Sequence, residues 1–284
     1  MRSLILLLSF TFSVSAFAQT VQEQVSTKYS PWSLSGFSLI SSESDQASNG
    51  GQLNSYNFVG PNYRLNFKER VAFKAAFNAN TSGYSRFSGE CYVEQDASFA
   101  DSFFEYRNTN LGWLPGIADI FWSGRVYVPT SKNSQRQGMI SRYASQVIFN
   151  RRMTKNWMVE YRNDFDFYHQ SQATYRSNGL NSDCTVGDRS GLSNTRQFRL
   201  ENWLSTWYIV NRNFSLGFSG IIRDDFFNSS NGVETSRQRN GRMHEITMYL
   251  GPQLRYNYSF NASFILSFRD KIEYSGFHPN RQDD

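Results

Sequence analysis

Between Trp157 and His169 the chain reads WMVEYRNDFDFYH, and two-residue alternation governs the whole run. Trp157, Val159, Tyr161, Asn163, Phe165 and Phe167 fall on one parity, Glu160, Arg162, Asp164 and Asp166 on the other. A strand sends successive side chains to opposite faces, so this ribbon carries one oily face and one ionic face and separates two environments. It exceeds the ~5–6 residues of an ordinary globular strand and covers the ~9–11 that a tilted strand needs to cross a bilayer.

The first residues do not belong to this pattern. MRSLILLLSFTFSVSAFAQT has Arg2 before an apolar run from Leu4 and a small-residue site at Ala16-Phe17-Ala18. Residues 1–18 are therefore expected to be a cleaved signal peptide, because the run is too short and too interrupted by serines for a membrane helix. Residues 19–27 form a short lead, 28–274 the folded domain and 275–284 a polar C-terminal tail.

Alternation recurs along that domain. Asn62, Arg64 and Asn66 oppose Tyr63, Leu65 and Phe67; after a few residues Lys74 and Asn78 oppose Val71, Phe73, Ala75 and Phe77. Comparable runs surround Phe104, Trp122, Val147, Leu200, Phe218, Leu254 and Leu266, while the first candidate, from Lys28 to Ile40, is broken by Pro31 and Gly36. Aromatic residues make up 17% of the chain, yet mean hydropathy is polar. Alternating lipid-facing and lumen-facing residues cancel in any window average, which reconciles the two.

Period alone leaves open which face is inward, since a soluble barrel or sandwich has the same alternation. Two features decide it. Brief turns and long polar connections alternate strictly, and Trp157, Tyr208, Phe214, Tyr256 and Tyr258 gather on the apolar parity near the brief turns, where amphipathic rings suit the headgroup level. In these features the chain resembles Gram-negative outer-membrane β-barrels as a superfold, without a specific family. The expected fold is all-β: an antiparallel up-and-down transmembrane barrel of about 12 strands, with short periplasmic turns and long extracellular loops, in the bacterial outer membrane. The runs count to eleven strands, whereas single-chain bacterial barrels normally have an even number.

On this parity the lumen is lined by Arg64, Lys74, Glu105, Arg107, Arg125, Arg142, Glu160, Arg162, Asp164, Asp166, Arg199, Glu201, Arg223, Glu245, Arg255 and Arg269. Basic groups outnumber acidic ones, which in a water-filled pore favours anionic solutes. The expected function is a small diffusion channel with mild anion preference, bathed in outer-membrane lipid. In a narrow barrel the same charges cross-link into a plug, giving a structural or adhesive barrel that acts through its loops. The net charge of +5 is dispersed and contains no basic run that would grip nucleic acid.

A third reading is enzymatic. His169-Gln170-Ser171 resembles the His-x-Ser element of outer-membrane phospholipase A and the lipid A deacylases, which implies Ser171 as nucleophile and His169 as base. Those families usually continue with Asn where this chain has Gln172, and no orienting acid or amide is identifiable. The histidines His169, His244 and His278 have no ligand spacing, so no metal or other cofactor is expected. Cys91 and Cys184 fall in long loops on the same side; they either form a disulfide pinning two loops or remain separate thiols.

Overall fold

The computed structural model describes residues 4–12, 30–43, 53–84, 92–93, 95–114, 118–180, 186–229, 244–259 and 262–274. In chain order the elements are β1 (Leu4–Phe12), β2 (Trp32–Glu43), β3 (Asn54–Arg64), β4 (Glu69–Asn80), β5 (Gly83–Tyr84), β6 (Tyr92–Val93), β7 (Asp96–Phe99), β8 (Phe103–Leu114), β9 (Ala118–Tyr127), α1 (Lys132–Arg136), β10 (Met139–Arg152), β11 (Trp157–Gln170), β12 (Thr174–Leu180), β13 (Val186–Asn194), β14 (Arg196–Ile209), β15 (Phe214–Phe227), β16 (His244–Ser259) and β17 (Ala262–Tyr274).

Antiparallel pairing runs from β1 through β2, β3, β4, β8, β9, β10, β11, β14, β15, β16 and β17, and β17 pairs back onto β1. The sheet thus returns on itself, and β7 continues the place of β8 along β4. A β12–β13 hairpin and a small β5–β6 ladder lie outside this ring.

The two parities fall as the alternation predicts. Phe165 and Phe167 are 42% and 41% exposed on the outer surface, with Val71, Phe73, Phe77, Leu204, Leu216 and Phe218 also outward. Lys74, Glu105, Glu201, Ser219 and Asp225 are buried on the inner side. A closed sheet with rings outside and charges inside is stable only against hydrocarbon, where every backbone polar group must be bonded within the ring. The fold is that of a transmembrane β-barrel.

Side chains close the brief turns at one end. The Asn66 carbonyl oxygen accepts from the backbone N–H of Lys68 and Glu69 at 2.8 and 2.9 Å, and that of Asn211 accepts from Asn213 and Phe214 at 2.9 Å each. Thr154 does the same for Asn156 and Trp157. Asn and Thr serve here because their side chains imitate a backbone acceptor. Beside these turns Trp157 and Tyr208 pack with ring centroids 5.2 Å apart. Leu65 and Phe67, expected to continue a strand, instead belong to the turn that Asn66 closes, and the first irregular strand spans Trp32–Glu43.

The missing twelfth strand has a definite position. Leu4–Phe12, within the segment expected to be the export signal, lies between β17 and β2, with Leu4 opposite Asp270 and Phe12 opposite Gly36. Both of those neighbours run antiparallel to it.

Candidate functional site

Register brings inward-facing charges that are distant in sequence into transverse rows. Glu105, Arg125, Ala144, Asp166, Arg199 and Asp225 lie opposite one another from β8 to β15. Arg107, Ser123, Gln146, Asp164, Glu201 and Arg223 form the next row along the barrel axis.

Within the rows, carboxylates are shared. Glu105 accepts from Arg125 at 2.9 Å and pairs with Arg107 at 3.1 Å; Asp225 pairs with Arg196 at 2.7 Å and with Arg199 at 2.8 Å. Each of these carboxylates meets two guanidiniums, while Asp166 lies opposite Arg199 and Glu245 opposite Asp225. Around Glu201 the charges balance, because Arg223 and Arg162 share it while Arg162 also holds Asp164 at 2.9 Å.

Aromatic faces carry several of the same guanidiniums. Arg142 lies 3.5 Å over the Tyr127 ring and 5.7 Å from that of Tyr168, Arg162 lies 3.6 Å over Trp203, and Arg255 lies 4.1 Å over Trp207. Stacking holds the plane of a guanidinium while leaving the edge donors free for water or an anion. Neither Arg142 nor Arg255 has an ion-pair partner among the described residues.

Two cavities open along this wall. One of about 190 Å³ is bordered by Arg125, Tyr127, Arg142, Asp164, Asp166, Arg199, Glu201 and Arg223. The other, of about 170 Å³, is bordered by Arg70, Arg107, Thr109, Ile148, Asn150 and Glu160. Gln146 borders both and donates to Asp164 at 2.7 Å.

The remaining sequence candidates are placed differently. Lys74 is 2% exposed and donates to Ser35 Oγ at 2.6 Å, the Gly60 carbonyl at 2.9 Å and Asn62 Oδ1 at 2.8 Å; it borders neither cavity. Arg64 is exposed at the end of β3, opposite Arg70, and Glu245 lies opposite Asp225 on β16. Arg269 occupies β17, but its side chain lies outside the described residues, as do Cys91 and Cys184. His169 is exposed at the end of β11, and the Ser171 hydroxyl donates to the Gly138 carbonyl at 3.0 Å.

Sequence reasoning missed several members of the wall. Arg70 and Asp225 lie at strand ends where the alternation looks finished, although Arg70 shares the parity of Lys74 and Asp225 that of Arg223. Trp203 and Trp207 were hidden because the run WLSTWY is apolar on both parities. Their signal was the two-residue spacing itself, carried past the apparent strand end.

No protein family matches the sequence, and no curated protein matches it. Solved structures with some likeness include an outer-membrane channel of Pseudomonas putida F1, at TM-score 0.48 and 10% identity over 96% of this chain and 95% of that one. Another is the KdgM porin, at TM-score 0.38 and 7% identity over 97% and 99%. CdiB from Acinetobacter baumannii follows at TM-score 0.30 and 8% identity over 96% of this chain and 60% of that one.

Proposed function

We propose that the chain is a diffusion channel of the bacterial outer membrane for small hydrophilic solutes, with mild preference for anions. One observation carries the reading: the larger cavity is bordered by Arg125, Arg142, Arg199 and Arg223 against Asp164, Asp166 and Glu201, and Arg142 and Arg255 stack on rings with no ion-pair partner among the described residues. The result is a positive excess around the lumen, which lowers the barrier for an anion and raises it for a cation. A barrel of this strand number stands between ~8-stranded barrels filled by side chains and ~16-stranded aqueous porins, so wall residues rather than backbone set its bore.

The rival is a plugged barrel that works through its loops. The ion pairs between rows and the small cavities favour it. For a hydrolase, the Ser171 hydroxyl is already engaged with a backbone carbonyl.

Planar-bilayer recording separates the readings. The channel gives steady steps of current and a reversal potential displaced towards the anion in a KCl gradient. Replacing Arg162 and Arg199 together by Gln moves that potential towards cations. An unchanged potential removes these residues from the pore wall, and absence of current at every salt concentration removes the channel in favour of the plug.

A further inference from the structure

On the outer surface, midway along the 14-residue strands β11 and β14, two amides sit among apolar side chains. Asn163 and Asn202 lie directly opposite one another, between the outward pairs Tyr161–Leu204 and Phe165–Leu200. The Asn163 amide donates to Asn202 Oδ1 at 2.8 Å, and the Tyr161 hydroxyl donates to the same oxygen at 2.7 Å. Both contacts converge on one acceptor. Among the described residues the NH₂ of Asn202 and the Oδ1 of Asn163 have no hydrogen-bond partner.

That placement is costly for a monomer in lipid. An amide facing hydrocarbon without its hydrogen bonds costs several kcal/mol on the order of its transfer into an apolar medium, and midway along a spanning strand water is furthest away. Between membrane-embedded proteins the same groups act as adhesive, since lipid chains offer no hydrogen bonds to compete. The surroundings suit close approach. Small residues, Gly124 and Ser145, face each other on the neighbouring strands, and the Trp122 indole bonds to Ser145 Oγ at 3.0 Å instead of standing off the surface.

We infer that this face, centred on Asn163 and Asn202, is where a second copy of the chain docks. The occupant is fixed by complementarity. The patch offers one unused donor group and one unused acceptor side by side, so a two-fold axis through it lets each Asn202 NH₂ meet the partner's Asn163 Oδ1. An isologous contact needs such a self-complementary surface, and a lipid tail meets neither demand.

The test uses purified full-length protein in a mild detergent and in lipid nanodiscs, with mass measured by light scattering and native mass spectrometry. Wild type is expected as a dimer. Asn163→Val with Asn202→Leu gives monomer while keeping the folded, unboiled electrophoretic mobility. Val147→Trp, one strand away and opposite Asn163, leaves both amides in place and blocks approach, so it also gives monomer and guards against failure of the double variant to fold. A monomeric wild type at all protein-to-detergent ratios, or variants that remain dimeric, overturns the proposal. A wild-type assembly that disappears on delipidation and returns only with added lipopolysaccharide assigns the patch to lipid and also overturns it.

Discussion

A lysine and an arginine of the same parity do different things here. Lys74 is enclosed by Ser35, Gly60 and Asn62, so its ammonium ties β2, β3 and β4 together through neutral acceptors. Arg142, stacked on Tyr127, borders the larger cavity. Replacing Lys74 by Met keeps most of the volume and takes a donor from the Gly60 carbonyl and from Asn62 Oδ1, which keeps only the Ser35 hydroxyl, at about 1–3 kcal/mol for buried groups that lose a partner. The expected result is a lower urea midpoint for unfolding from vesicles with an unchanged reversal potential. A shifted potential with unchanged stability would place Lys74 in the conducting path. Sequence parity put Lys74 on the inner face but could not distinguish a wall charge from a strand tie, because the three acceptors come from segments up to 39 positions away.

Pairing of β3 with β4 depends on one missing side chain. A Cβ on Gly60 would stand 2.0 Å from the Phe73 carbonyl oxygen and 3.1 Å from Lys74 Cα, both backbone atoms that cannot swing aside. Gly60→Ala is therefore expected to cost about 1–3 kcal/mol or more through overpacking and to reduce the fraction that refolds into vesicles. Gly36→Ala serves as the control, since its nearest neighbour would be 3.4 Å away, and it should refold like wild type. At this scale the alternation located strands well and their ends poorly. Leu65 and Phe67 keep the outward parity into a turn closed by Asn66, while Asp225 keeps the inward parity beyond an apparent end. Side-chain period marks a face; it does not mark where cross-strand bonding stops.

At the scale of the whole molecule, the decisive feature is that the main ladder of described strands returns on itself, β17 pairing with β1 and β3 with β4. Removing an edge removes the site at which a sheet in hydrocarbon would fray, since unpaired N–H and C=O groups there find no water. The barrel is therefore expected to resist SDS at room temperature and to change electrophoretic mobility only on boiling. Identical mobility before and after heating would contradict a closed ring. β2 and β17 point the same way, each paired antiparallel with Leu4–Phe12, which brings the ring to twelve strands where the sequence reading counts eleven.

Sequence by itself determined the partition of the molecule into an oily outside and an ionic inside, together with the alternation of brief and long connections. Both follow from local period and turn chemistry, which each strand carries within itself. Tertiary structure alone decided which charges neutralise one another, as in the sharing of Asp225 by Arg196 and Arg199, which charges are tied away from the cavities, as with Lys74, and which segment fills the twelfth position. Those outcomes depend on register between strands, and register is a property of the closed ring.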